Sequence, residues 1–261
     1  MELYKTTLPG GAELTGYLRD NCPEMPTVAV RPAMLIFPGG GYEYCSKRES
    51  DPVAMQFLAA GYQVFTLIYT TNRPPLGWQP LTEAAWAVAH IRQNAAALRV
   101  DPEKIAVCGF SAGGHLAGSV AALWYAEPVQ TALGHPGRAA RPDAAVLCYP
   151  VITSGPLAHR GSFDQLCGQD AAMLAQFSLE CHARPDMPPC FLWHNVTDES
   201  VPVQNSLLMA GALQQAQVPY ELHIFNKGVH GESICTPEVN TPNAHSAHWL
   251  PLCLEWLEDV L

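Results

Sequence analysis

The chain has no run of about 18 consecutive apolar residues, the length a membrane-spanning helix needs, so no membrane partner is expected. It also has no excess of positive charge: 14 Lys and Arg stand against 24 Asp and Glu, a formal net charge of −10. A surface of that sign repels phosphate backbones, which argues against nucleic acid as a partner. Nine cysteines are present, but their odd number and the lack of any C-x-x-C pair argue against a disulfide framework. Cys108, Cys148 and Cys190 fall inside apolar runs, where a thiol behaves as a small hydrophobe. The start, Met1-Glu2-Leu3-Tyr4-Lys5, lacks the basic-then-apolar pattern of a secretion signal, and with free thiols this points to the cytoplasm. The ten histidines are scattered, and the nearest to a ligand pair, His245 and His248, has no third ligand in reach. No metal or organic cofactor is expected.

What is there suits a compact enzyme. Of 261 residues, 48% are hydrophobic and only 15% charged, enough apolar material for a substantial core in one domain spanning residues 1–261. Leu3–Thr7 and Leu14–Arg19, separated by Pro9-Gly10-Gly11, predict an antiparallel N-terminal hairpin. Ala33–Phe37, Val64–Tyr69, Ile105–Val107, Ala144–Tyr149, Pro189–His194 and Tyr220–Phe225 predict strands. Helices are predicted over Pro52–Ala60, Thr82–Leu98, Ala112–Ala126, Val203–Gln217 and Ala247–Val260. The strands are continuously apolar rather than alternating, which requires cover on both faces. The expected fold is therefore α/β, a three-layer α/β/α sandwich around a mostly parallel sheet. Glu127–Pro142 and Thr153–Met187 are too long for ordinary connections and predict excursions that could form a lid or pocket wall.

The chemistry is concentrated in a few loops. Gly109-Phe110-Ser111-Ala112-Gly113 reads as G-x-S-x-G between a strand and a helix, a setting that forces a serine onto a tight turn with its hydroxyl above the sheet. A serine needs a histidine base, and the base needs a carboxylate to orient it. In open α/β sheets sites lie at the carboxyl ends of the strands. Asp198 follows one such strand and His230, flanked by Gly228 and Gly231, follows another, in the order Ser, Asp, His. Glu199 is the rival carboxylate, further from its strand. His115, one turn into the helix behind Ser111, is expected to pack or hydrogen-bond, and His194 and His223 fall within strands. Gly39-Gly40-Gly41 follows a buried strand and lets backbone N–H groups approach an oxyanion. Gly40, Gly41 and Ala112 are the candidate donors. Phosphate-loop spacing is absent.

Taken together, Pro38-Gly39-Gly40-Gly41-Tyr42, Gly109 to Ala117, Asp198 to Pro202 and Gly228-Val229-His230-Gly231 resemble the α/β-hydrolase superfamily. They look most like its small esterases related to hormone-sensitive lipase and to acetyl-xylan and feruloyl esterases. The resemblance runs from about residue 30 to the end. Many relatives have histidine where this chain has Pro38, a departure that bears on loop shape. The resemblance implies a serine carboxylester hydrolase whose partner is a small-molecule ester, with an acetylated sugar or glycoside as the implied substrate. Tyr42, Tyr69, Trp78 and Trp124 are candidates to line the pocket, or else belong to the core. The alternatives are a serine peptidase, whose usual extra domain this length leaves no room for, and a non-catalytic binding protein of the same fold.

Overall fold

The structure, a computed structural model, describes residues 1–261. In chain order its elements are β1 (Glu2–Thr7), β2 (Glu13–Leu18), β3 (Arg31–Phe37), α1 (Asp51–Ala59), β4 (Gln63–Ile68), α2 (Gln79–Gln93), α3 (Ala95–Leu98), β5 (Val100–Phe110) and α4 (Ala112–Leu123). There follow α5 (Glu127–Ala132), β6 (Ala144–Cys148), α6 (Arg160–Cys167), α7 (Ala171–Gln176), β7 (Cys190–Asn195), α8 (Gln204–Gln215), β8 (Tyr220–Phe225) and α9 (Trp249–Val260). Eight strands form one sheet in the order β1-β2-β4-β3-β5-β6-β7-β8. The β1–β2 and β2–β4 pairs are antiparallel and the rest parallel.

The period of the strands explains the layers. Along β5, Ile105 and Val107 join one apolar cluster while Ala106, Cys108 and Phe110 join another. Leu35 and Phe37 alternate with Met34 and Ile36 on β3 in the same way. The larger cluster is closed by Val88 and Ile91 of α2, Leu116 and Val120 of α4 and Met209 and Leu213 of α8. Val53 and Phe57 of α1 and Trp249, Trp256 and Leu257 of α9 close the other. Helices on both faces make the three-layer sandwich that continuously apolar strands require.

The helix predicted over Thr82–Leu98 begins earlier and is interrupted. Pro80, in the first turn of α2, lacks an N–H that no helix needs there, and Asn94 separates α2 from α3 while donating its side-chain amide to the carbonyl of His90. All nine cysteines are unpaired. No helix is long and apolar enough to cross a membrane.

The two predicted excursions have different positions. Residues 127–142 precede β6 and pack at the amino end of the sheet, away from the serine turn. Arg92 of α2 holds them there, donating to the carbonyls of Ala139 and Arg141 and to Asp143. None of them lines the cavity beside Ser111. Residues 153–187 follow the carboxyl end of β6 and carry α6 and α7, on the same side as Ser111.

Candidate active site

Ser111 joins β5 to α4 with φ 55° and ψ −118°, a backbone conformation that costs a non-glycine residue of order 1–3 kcal/mol and persists only where its surroundings enforce it. The enforcement is mutual packing. Ser111 N–H donates to Cys148 O at 3.0 Å, and Val151 N–H donates to Ser111 O at 3.1 Å. At Gly113 a Cβ would stand 2.0 Å from the carbonyl oxygen of Phe37, so α4 can lie this close to β3 only with glycine there.

The other two predicted residues meet Ser111. His230 Nε2 lies 2.7 Å from Ser111 Oγ, and His230 Nδ1 lies 2.7 Å from Asp198 Oδ2. A buried carboxylate can only accept, so Nδ1 carries the ring hydrogen and Nε2 is left to accept from the serine hydroxyl. Asp198 Oδ1 accepts from the N–H groups of Ser200 and Val201 at 3.0 and 2.9 Å. Burial alone would push the Asp198 carboxyl up. Hydrogen bonds from His194 and His230 and from the Val201 N–H outweigh it and hold the group well below the usual carboxylate range. Glu199, the rival, makes no such contact and lies on the exposed outer wall.

The loops bearing Asp198 and His230 are tied together. Thr197 Oγ1 donates to Gly228 O at 2.7 Å and accepts from Gly228 N–H at 2.9 Å. Glu232, buried two residues past His230, accepts from Val229 N–H at 3.0 Å and from the amides of Asn195 and Asn243. Tyr149 packs edge-on against the imidazole at 5.1 Å between centroids.

The glycine loop lies over the same point. Gly40 takes φ 126°, and a Cβ there would fall 2.1 Å from Tyr44 O, so only glycine fits. Gly39 N–H donates to Glu49 Oε2 at 2.8 Å, whereas the N–H groups of Gly40, Gly41 and Ala112 donate to no protein acceptor. Those three were the predicted oxyanion donors. Between loop, serine and histidine opens a cavity of about 410 Å3, whose lining includes Glu43, Tyr44, Arg48, Glu49 and His159.

Of the two readings of the four aromatics, pocket lining or core, the lining one does not hold. Tyr42 is buried and donates to His115 Nδ1, while Tyr69 donates to Pro38 O at 2.6 Å; both brace the glycine loop from behind. Trp78 packs on Phe177, and Trp124 lies against Tyr125. None of the four lines the cavity: Tyr42, Tyr69 and Trp78 pack into the larger apolar cluster, and Trp124 caps the far end of α4 from Ser111. His245 packs on Phe225, and His248 lies 2.9 Å from the carbonyl of His245.

Three further residues belong to the site. His194, fully buried at the end of β7, donates from Nε2 to Val201 O at 2.9 Å and approaches Asp198 Oδ2 at 3.3 Å. Its spacing of four residues before Asp198 was the only signal. Glu49 accepts from Tyr149 O–H at 2.7 Å as well as from Gly39 N–H, and burial pushes its carboxyl up despite both bonds. His159, contributed by the 153–187 segment, had no sequence signal.

The chain is similar to known proteins over most of its length. A family model described as BD-FAE matches residues 22–141, and the prolyl oligopeptidase family model matches residues 83–261. The chain is 38% identical over 213 residues to endo-1,4-beta-xylanase B of Butyrivibrio fibrisolvens, covering 80% of this chain and 33% of that protein. It spans between about a third and about half of the length of the curated relatives it matches. Among solved structures, an acetyl ester-xyloside bifunctional hydrolase from Caldicellulosiruptor lactoaceticus superposes with TM-score 0.83 at 35% identity, covering 97% of this chain and 89% of that one. The carboxylesterase Cest-2923 from Lactobacillus plantarum gives TM-score 0.87 at 29% identity, covering 99% and 98%.

Proposed function

The chain belongs to the α/β-hydrolase-fold esterases, and on that premise we propose that it is a serine hydrolase of short acyl esters, acetyl groups on sugars or glycosides foremost. The observation that carries the reading is the hydrogen-bonded chain from Ser111 through His230 to Asp198, lying under three unpartnered N–H groups. In the proposed sequence Ser111 Oγ attacks the ester carbonyl while His230 Nε2 takes its proton. The N–H groups of Gly40, Gly41 and Ala112 hold the oxyanion, each such donor contributing about 3 kcal/mol. His230 then gives the proton to the leaving alcohol, and the carbonyl re-forms as an acyl-serine. Water, deprotonated by the same nitrogen, attacks that acyl group and releases the acid with Ser111 restored. Asp198 keeps the hydrogen on Nδ1 throughout.

The lining supports that substrate class. Of thirteen residues around the cavity only Tyr44 is hydrophobic, so a long acyl chain finds no apolar wall while a hydroxyl-bearing alcohol finds many partners. The solved relative that hydrolyses acetyl esters and xylosides supports the same class. The test is a comparison of 4-nitrophenyl acetate, an acetylated xyloside and a long-chain ester. Turnover is expected on the first two, with a loss of about 10⁴-fold or more in Ser111→Ala. A wild-type chain that binds such esters but turns over none is a binding protein instead. A peptidase reading draws on the prolyl oligopeptidase match; faster cleavage of a prolyl nitroanilide than of nitrophenyl acetate would select it.

A further inference from the structure

The segment between β6 and β7 sends one imidazole back over the site. His159 caps α6: its Nδ1 accepts from Ser162 N–H at 3.3 Å and lies 2.8 Å from the Ser162 hydroxyl. A ring nitrogen that accepts from a backbone N–H carries no hydrogen, so the hydrogen is on Nε2. That Nε2 makes no hydrogen bond within the protein, since both of the ring's contacts run through Nδ1. The ring leans over the glycine loop, its Cε1 3.9 Å from where a Cβ of Gly41 would stand, and it lines the same cavity as Ser111 and His230. Burial first, then the neighbouring His230, pull its pKa below the ordinary histidine value, so at neutral pH it remains an uncharged donor.

The half of the substrate it faces follows from size. A short acyl group needs room for a methyl, far less than a cavity of about 410 Å3, so the remaining space belongs to the alcohol half. We propose that His159 is a specificity-determining residue whose Nε2–H donates to an oxygen of that alcohol half, beside the esterified carbon. The chain thereby favours esters of polyhydroxylated alcohols over esters of alcohols with no such oxygen. The proposal rests on the esterase reading above.

The experiment uses His159→Asn, which keeps a side-chain acceptor for the helix N-terminus but is too short to put a donor into the cavity. The readout is the ratio of kcat/KM on a mono-O-acetylated methyl xyloside to kcat/KM on 4-nitrophenyl acetate, whose leaving group has no hydroxyl. The ratio is expected to fall about tenfold, mostly through KM, the factor one hydrogen bond between neutral groups supplies. A looser fold would lower both rates alike and leave the ratio where it was. An unchanged ratio, whatever happens to the separate rates, overturns the role of His159 and leaves the esterase reading standing. A wild-type chain that cleaves nitrophenyl acetate but not the acetylated xyloside overturns the sugar-ester reading and this subsite with it, before any variant is made. Inactivity of the wild type on both overturns the whole esterase reading.

Discussion

The loop after β8 and the first turn of α4 each hold a histidine in a chain of hydrogen bonds, and the two chains run in opposite senses. His230 donates from Nδ1 to Asp198 and accepts at Nε2 from Ser111. His115 accepts at Nδ1 from Tyr42 O–H at 2.8 Å and donates from Nε2 to Phe177 O at 2.8 Å. His230 keeps a fifth of its side-chain surface open and has a carboxylate behind it, so a proton arriving at Nε2 makes an imidazolium that Asp198 balances. His115 is fully buried with neutral partners, and burial pulls its pKa down to about 4. A proton there meets only the field of Glu180, with no carboxylate bonded to the ring, and burial outweighs that field. The same side chain is thus placed to carry a proton in one region and is a neutral strut in the other. The carboxylate and a path to solvent make the difference.

The largest expected effect comes from reversing the first chain. Asp198→Asn presents His230 with a donor where it had an acceptor, so the ring turns to the tautomer that cannot take the Ser111 proton. Turnover of nitrophenyl acetate should drop about 10⁴-fold in a chain that still folds. Its melting temperature should be lowered, because the charged carboxylate that His194, His230 and Val201 N–H stabilise is gone. If Glu199→Gln gave that loss and Asp198→Asn did not, the assignment of the carboxylate would be reversed.

The strut should reveal itself through pH. Its folded pKa is depressed from 6.5 to about 4, so the unfolded chain binds more protons between those values and stability is lost as pH falls through that window. The loss from His115 alone is about 3 kcal/mol, readable as falling urea midpoints from pH 7 to 4. Asp198, also depressed in the folded state, adds its loss only further down, as pH falls past about 3.9 toward its folded value. In His115→Phe the upper part of the slope should flatten, although the variant starts lower because Tyr42 O–H and Phe177 O lose their partner. An unflattened slope would show that some other group titrates there.

Glu49→Gln probes the brace beneath the glycine loop. The amide keeps an oxygen for Gly39 N–H or Tyr149 O–H but not for both, so a loss of a few-fold to about tenfold in kcat is expected, with KM little changed. A kcat at the wild-type level would remove Glu49 from any role in holding the loop. The smallest effect should be Glu199→Gln, within about twofold in kcat/KM, since Glu199 is exposed and makes no hydrogen bond or ion pair with His230 or Ser111.

The residues legible in the sequence share one property: each follows an apolar run that becomes a parallel strand. Ser111 follows β5, Gly39 to Gly41 follow β3, Asp198 follows β7 and His230 follows β8. Parallel strands all point their carboxyl ends the same way, so adjacency in space could be inferred from chain order. Glu49 offered no such handle, because it lies in no recognisable pattern and its partner Tyr149, at the end of a predicted strand, is 100 residues away. The aromatics, read as pocket lining or core, could not be decided from the sequence for the complementary reason. Tyr42 and Tyr69 are near the site in sequence terms, but their rings turn inward to apolar neighbours and their hydroxyls to His115 and Pro38.

The sequence by itself determined the sheet, its two covered faces and the four loops at one edge, because strand periodicity and glycine placement are local properties. Only the tertiary structure decided which histidine is neutral, which carboxylate is charged, and which of the two excursions reaches the cavity. Those depend on desolvation and on hydrogen-bond partners brought from distant segments, and the free energy of a proton on an imidazole is set by those neighbours.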